Sequence, residues 1–326
     1  MRGRHAGTSI LFAACLFCCA ERANAQSCTI TPASGTFATI DVLPGTAIET
    51  TTTLTVNCTG TANNTVRLCI EMGRGASAAG PSGERTLTVG SEYLDFEFYS
   101  NAARTLLWGS WGSVVTAYGT GGVTSDLALG SGGSASRIFT AYTRIFASQT
   151  TKIPQTYSWS GSSPAMRYGY VTASACPTGG ATAISSGSTW NATIAPNANV
   201  SATTLNFGST SVLPSTSTAT ITVQATNTTP YSIGLNNGAN ASGSQRRVRL
   251  GATSSFLNYN LYTDINNTNP WTTTTQAGSC TGGAGSCVLG TGTGLAQNTT
   301  VYGRVPSQTI PAAGTFTDTV VVTVTF

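Results

Sequence analysis

Residues able to do chemistry are few in this chain, and their spacing argues against catalysis. His5 is the single histidine of the 326 residues and precedes an apolar segment with the form of an export signal. Ser-His-Asp and Cys-His nucleophilic catalysis both need a histidine base, and ordinary zinc sites lean on imidazole. Neither is expected once that segment is removed. Asp95 and Glu97 stand two apart on one strand-like run and face the same way, as a glycosidase carboxylate pair does. The run recurs later with Asn258 and Asn260 in their places, so the two acids are expected to form the polar face of a half-exposed strand. The glycine-rich stretches 119–122 and 130–133 lack the lysine and following helix of a phosphate loop. Arg246-Arg247-Val248-Arg249 is the largest basic cluster. It reads as a solvated strand end, and a nucleic-acid footprint is missing. No enzyme, cofactor or metal is expected.

Binding is a better prospect than chemistry, because the chain says the same thing twice. Leu94-Asp95-Phe96-Glu97-Phe98-Tyr99 returns 163 residues later as Leu257-Asn258-Tyr259-Asn260-Leu261-Tyr262, and Trp108 and Trp271 keep that offset. Thr29-Ile30-Thr31-Pro32 matches Thr193-Ile194-Ala195-Pro196, Phe37 matches Phe207, and Tyr142 and Arg144 match Tyr302 and Arg304. The offset drifts only between about 157 and 170, as loop insertions in a shared fold would make it. Between the shared Trp and the shared Tyr, the second copy has Thr272-Thr273-Thr274-Thr275, polar throughout. The first has Trp111, Val114, Val115 and Tyr118 among glycines. Apolar side chains on a loop can form an interaction patch. These four are the surface-binding candidates, with Leu106 and Leu107 beside them. The competing reading, that Trp111, Val114 and Tyr118 cap the core, stays open at this point. Trp108 is expected in the core, since Trp271 repeats it where no site is proposed.

Residues 1–25 read as a signal peptide: Arg2 and Arg4, an apolar stretch from Ile10 to Ala20, then Ala23-Asn24-Ala25 as the cleavage site. Its removal takes three of fifteen basic residues and one of eleven acidic ones, leaving twelve against ten. It also takes Cys15, Cys18 and Cys19, leaving Cys28, Cys58, Cys69, Cys176, Cys280 and Cys287. Six cysteines in an exported chain favour disulfides. Fifteen connectivities are open, and the repeat narrows them. The second copy has Ala192 in the place of Cys28 and Ala near 225 in the place of Cys58, a joint loss expected of bonded partners. Cys280 and Cys287 can close a local hairpin. The remainder would be Cys69 with Cys176, a pairing left open here.

The pattern beneath these residues is all-β. Leu54 and Val56, then Val66, Leu68, Ile70 and Met72, then Ala219, Ile221 and Val223 recur with a period of two. Turn residues separate the runs at strand-like spacing, which suggests antiparallel sandwiches. The expected division is 26–176 for the first domain, 177–188 for a linker and 189–326 for the second domain. The chain given ends on a strong strand, Thr319 to Phe326. Val320, Val322, Val324 and Phe326 share one face. A bare edge there invites aggregation unless something covers it.

At these residues the sequence resembles a known family. Pro311-Ala312-Ala313-Gly314-Thr315-Phe316-Thr317-Asp318-Thr319-Val320, with the alternating strand after it, is similar to the closing signature of the spore coat protein U family. So is Leu257 to Asp264 followed by Trp271. The first copy departs from the signature at its end, where Ser158-Trp159-Ser160-Gly161 follows Tyr157, which leaves its last strand open. The family includes pilins of archaic chaperone–usher pili, so the resemblance implies two tandem immunoglobulin-like β-sandwiches. The C-terminal one would be an incomplete pilin-type fold completed by a donor strand. The groove would involve Val320, Val322, Val324 and Phe326. The implied partners are a periplasmic chaperone, an outer-membrane usher, the next pilus subunit and a host or abiotic surface. Cys28 is the third residue after the expected cleavage site, which leaves no donor segment ahead of the first domain. The expected place is therefore the pilus tip, as an adhesin in surface attachment and biofilm formation. Alternatives are a secreted coat or matrix protein of the same family and a carbohydrate-binding lectin.

Overall fold

The computed structural model describes residues 26–76, 80, 83–112, 114–171, 176, 182–273 and 276–326. The expected signal segment and residues 177–181 of the expected linker lie outside the described residues. Every regular element described is a strand. The first six are β1 (Ser27–Ile30), β2 (Gly35–Ile40), β3 (Ile48–Thr59), β4 (Thr65–Glu71), β5 (Arg85–Val89) and β6 (Glu92–Tyr99). Next come β7 (Val123–Ala128), β8 (Ser134–Ile145), β9 (Thr156–Gly161), β10 (Ala165–Tyr170), β11 (Thr182–Ser185) and β12 (Ser188–Ile194). The second half holds β13 (Ala198–Ala202), β14 (Ser215–Ala225), β15 (Pro230–Leu235), β16 (Arg246–Leu250) and β17 (Phe256–Tyr262). It closes with β18 (Val288–Thr291), β19 (Ala296–Val305), β20 (Phe316–Thr317) and β21 (Val322–Thr325).

These strands make two sandwiches, each with its own core. In domain one the sheet β1-β3-β8-β6-β5-β9-β12-β2 faces β11-β10-β4-β7, and in domain two β13-β14-β19-β17-β16-β20 faces β18-β15-β21. The period of two places Leu54, Val56 and Cys58 of β3 inside, as it does Leu94, Phe96 and Phe98 of β6 and Ile221, Val223 and Ala225 of β14. Trp108 and Trp271 are both fully buried.

The division between the domains differs from the sequence expectation. Thr182–Ser185 is not linker but a strand paired with β10. β12 does not open domain two. It runs antiparallel to β9 and parallel to β2, inside the large sheet of domain one. Its Ser188, Trp190, Ala192 and Ile194 are buried there, while Thr189 and Asn191 face out. The repeat misled because β12 carries the Thr-Ile-x-Pro motif of the first strand. The true counterpart of β1 is β13, which pairs with β14 as β1 pairs with β3. Ala198 and Ala225, not Ala192, therefore face each other where Cys28 and Cys58 do in domain one. The joint loss of both cysteines survives the correction.

All three disulfides form: Cys28–Cys58, Cys69–Cys176 and Cys280–Cys287. The first spans 30 residues, for which the chain-entropy model gives about 3–4 kcal/mol. Non-reducing peptide mapping should return Cys28 and Cys58 in one linked fragment. Recovery of Cys28 bonded to Cys69 or Cys176 would refute this pairing.

One further element departs from its sequence reading. The closing strand expected over Thr319 to Phe326 is shorter, β21 at Val322–Thr325 paired with β15, while the residues just ahead of it form β20 in the other sheet, paired with β16. Asp318 marks the break. Its carboxylate accepts hydrogen bonds from Asn240 N at 3.0 Å and from the Tyr259 hydroxyl at 2.7 Å. β9 and β10 cross between the sheets of domain one in the same manner. At the junction of the domains, Asn197 Nδ2 donates to Asp41 at 2.9 Å, Gln224 Nε2 to the Leu43 carbonyl at 3.1 Å and Asn227 Nδ2 to the Thr151 carbonyl at 2.6 Å.

Candidate functional site

Both domains share an internal clamp that short-range pattern reading missed. Trp108 Nε1 donates to the Ile70 carbonyl at 3.0 Å, and Trp271 Nε1 to that of Ile233 at 2.8 Å. A buried arginine closes each clamp. Arg246 reaches the carbonyls of Asn236 (2.9 Å), Leu235 (3.0 Å) and Trp271 (2.6 Å). Arg85 reaches the equivalent carbonyls of Gly73 (2.8 Å), Met72 and Trp108 (2.9 Å). Burial is the first cause holding both guanidinium groups below their ordinary pKa. Arg246 is thus not the solvated strand end expected of its cluster: it is 3% exposed. A signal was available, since an arginine precedes the shared run in both copies, nine residues ahead at Arg85 and eleven at Arg246.

Domain one adds charge to this clamp. Glu97 is buried and forms an ion pair with Arg85, so it is not the half-exposed residue its spacing suggested. Asp95, beside it, is only half-buried, and burial is the main cause raising its pKa. Tyr118 donates its hydroxyl to Glu97, and the Arg85 guanidinium lies 4.2 Å over its ring. Burial and that hydrogen bond push the Tyr118 phenol well above its ordinary range. Tyr118 is therefore packed in the core, at 9% exposure.

The loop that Tyr118 closes is held from below by a second buried acid. Glu71, with no exposed surface, accepts from the Ser110 hydroxyl at 2.7 Å and from Val114 N at 3.4 Å. Ser110 and Tyr118 exchange backbone hydrogen bonds of 2.7 and 3.0 Å. Across this loop the Trp111 ring lies on Gly121 and Gly122, where an added Cβ would stand 2.3 and 2.8 Å from it. Gly121 has φ +105, so glycine is needed there on both counts. Of the six candidates, Leu106 (60%) and Trp111 (41%) are exposed, Leu107, Val114 and Val115 are half-buried, and Tyr118 is buried. In domain two the sequence counterparts of Glu71 and Glu97 are Gly234 and Asn260, and the acid near its clamp is instead the half-buried Asp318, which accepts from Tyr259 and acts electrostatically on Arg246.

The four groove candidates stand apart, in domain two. Val320, Val322 and Val324 are half-buried against the core, and Phe326 is 46% exposed. Leu205, Phe207, Leu213 and Val248 are also only half-buried around that core. β20 and β21 are both sheet edges, whereas β9 lies between β5 and β12. Domain one thus has a strand where domain two has none among the described residues.

The Spore Coat Protein U domain model matches residues 16–158 and again 184–323. The chain belongs to the Spore Coat Protein U domain family. There is one match for each sandwich, although the second begins at 184 and so includes β12, which pairs within domain one. No curated protein matches the sequence. Among solved structures, a chain of the CsuC–CsuE chaperone–tip adhesion subunit pre-assembly complex, from archaic chaperone–usher Csu pili of Acinetobacter baumannii, is 17% identical. The match covers 92% of this Spore Coat Protein U domain chain and 100% of that one, with a TM-score of 0.54. The CupB6 tip adhesin of Pseudomonas aeruginosa is 10% identical, with 91% and 93% covered and a TM-score of 0.36. At such identities the first likeness is one of fold.

Proposed function

We propose that this Spore Coat Protein U domain protein is an exported pilus adhesin, the tip subunit of an archaic chaperone–usher pilus. Domain one attaches to a surface and supports biofilm formation, and domain two joins the fibre. The observation that carries the reading is the asymmetry between two copies of one fold. In domain one, β12 inserts Trp190, Ala192 and Ile194 between β9 and β2. In domain two the equivalent edge, β20, has a partner on one side only, and apolar residues around it stay half-buried. A strand from another chain fits that place, running antiparallel to β20 with apolar side chains at every second residue. A periplasmic chaperone fills it first, and the next subunit fills it at the outer-membrane usher. The likeness to the chaperone–tip subunit complex supports the same reading.

The test is a donor peptide with that alternation, added to the purified chain. Saturation at about 100 times its dissociation constant stabilises the bound state by about 2.7 kcal/mol. The melting temperature of domain two should rise by about 5–10 °C. A monomeric domain two whose melting no such peptide moves would show that the fold closes by itself.

Attachment is assigned to the exposed part of the 106–115 region, Leu106 and Trp111 first, with Leu107, Val114 and Val115 behind them. The chain has few charges, so burial of apolar area supplies the attraction. Replacing Trp111 and Val114 by Ser should reduce adhesion to hydrophobic surfaces severalfold while thermal melting holds. Unchanged adhesion with unchanged melting would remove this loop from the mechanism.

A further inference from the structure

Domain two contains, without a partner strand, the segment that receives β12 in domain one. An offset of 170 residues takes Cys28 to Ala198 and continues without a gap from Phe37 to Phe207. Ala38 (φ +57) and Gly208 (φ +73) share the same left-handed kink. Each donates its N–H, at 2.8 Å, to a side chain two residues back, Thr36 Oγ1 in one domain and Asn206 Oδ1 in the other. In domain one the kink coincides with the shift in register where β2 meets β12. In domain two residues 203–208 have the kink already but belong to no strand. Phe37, whose ring meets Trp190 of β12, is buried, whereas Phe207 is only half-buried.

One difference between the two segments decides which strand each can take. Trp190 stands opposite Gly35. A Cβ at Gly35 would lie 2.5, 2.7 and 2.9 Å from three carbons of the indole ring, closer than a Cβ comes to any such atom. The ring therefore needs glycine there. The counterpart of Gly35 is Leu205, which carries that Cβ and an isobutyl group beyond it. Its side chain turns onto Gly303, where an added Cβ would stand 2.7 Å from Leu205 Cδ1. Gly303 pairs with Leu261 as the fully buried Thr143 pairs with Phe98, and Phe98 is the ring that Trp190 meets at 5.6 Å. The space that the entering strand fills in domain one is thus filled in domain two by the receiving segment itself. Interiors pack to a fixed density, so a large residue on one side of a contact demands a small one on the other.

We propose that Leu205 determines the specificity of the domain-two groove: it admits a strand with glycine or alanine at the position facing it and rejects one with a large aromatic residue there. β12 of a second copy is excluded by its own Trp190, so copies of this chain do not join through that strand. The inference rests on the reading of domain two as the acceptor of a strand and adds which strand it accepts. Labelled peptides of residues 188–195, with the natural Trp190 or with Trp190→Leu, Trp190→Ala or Trp190→Gly, test it by fluorescence anisotropy on the purified full chain. β12 already occupies domain one there, which leaves the groove of domain two to the peptides. The Gly and Ala peptides should bind about tenfold or more tightly than the Trp peptide, the penalty expected of an overpacked contact, with the Leu peptide between them. In Leu205→Gly the order should reverse, because the indole then finds the space it has beside Gly35. The melting temperature of domain two should rise in step with affinity. Equal binding of the four peptides to the unaltered chain, or a preference that Leu205→Gly leaves in place, overturns the proposal while the open groove stands. Binding of no peptide to either chain removes the groove and the proposal with it. Should Leu205→Gly fail to fold, the order of the four peptides on the unaltered chain still decides.

Discussion

A fragment of domain one that stops at Gly187 should not fold, whereas one that continues to Pro196 should. The seven residues of β12 bring Trp190 into the centre of the core, with its ring 5.4 Å from Phe37 and 5.6 Å from Phe98. Gly35 accommodates that ring, since a Cβ there would lie 2.5 Å from it. The indole Nε1 donates to the Ala33 carbonyl at 2.6 Å, so its loss also orphans a buried acceptor. Removing β12 leaves the edges of β9 and β2 unpaired and exposes the apolar surface beneath them. Even the single change Trp190→Ala should cost about 3–5 kcal/mol, which can exceed half the stability of a small domain. Circular dichroism and tryptophan fluorescence of the two fragments provide the measurement, with a peptide of residues 188–195 added to the short one. Recovery of cooperative melting on adding the peptide is the expected result. If the short fragment melts as sharply and as high as the long one, β12 is dispensable and the reading of domain two by comparison fails with it.

The second large effect separates the two clamps. Arg85→Ala leaves Glu97 buried without its cation, and Tyr118 loses the guanidinium over its ring. Breaking a buried pair on one side costs about 3–5 kcal/mol, because the remaining charge stays uncompensated. Melting of domain one should fall by about 10 °C or more. Arg246→Ala leaves three carbonyls and the half-buried Asp318, which it influences without a direct ion pair, so its cost should be smaller by about 1–2 kcal/mol. Changing Arg85 to Met together with Glu97 to Gln should recover part of the loss, since no buried charge is then left alone. Scanning calorimetry of the three variants decides the matter. Equal losses for Arg85→Ala and Arg246→Ala would mean that the arginine–carbonyl contacts carry the clamp and the ion pair adds nothing.

What the sequence determined by itself was whatever short-range periodicity and internal repetition can encode. Alternation at a period of two specified the inward faces of β3, β6 and β14, because a strand can point only every second residue into a core. The repeated Trp108 and Trp271, the two copies, and the six cysteines beyond residue 25 needed no coordinates either. The tertiary structure alone decided which domain owns β12. Its sequence fits the first strand of either copy, and only pairing with β9 and β2, more than 25 and 145 residues away in the chain, fixes it in domain one. It also decided that Tyr118, Glu97 and Arg246 are buried. Their polarity, or their place in a glycine-rich loop, points outward on any local scale. A buried charge becomes tolerable only when long-range folding delivers its partners, and those partners are invisible to spacing.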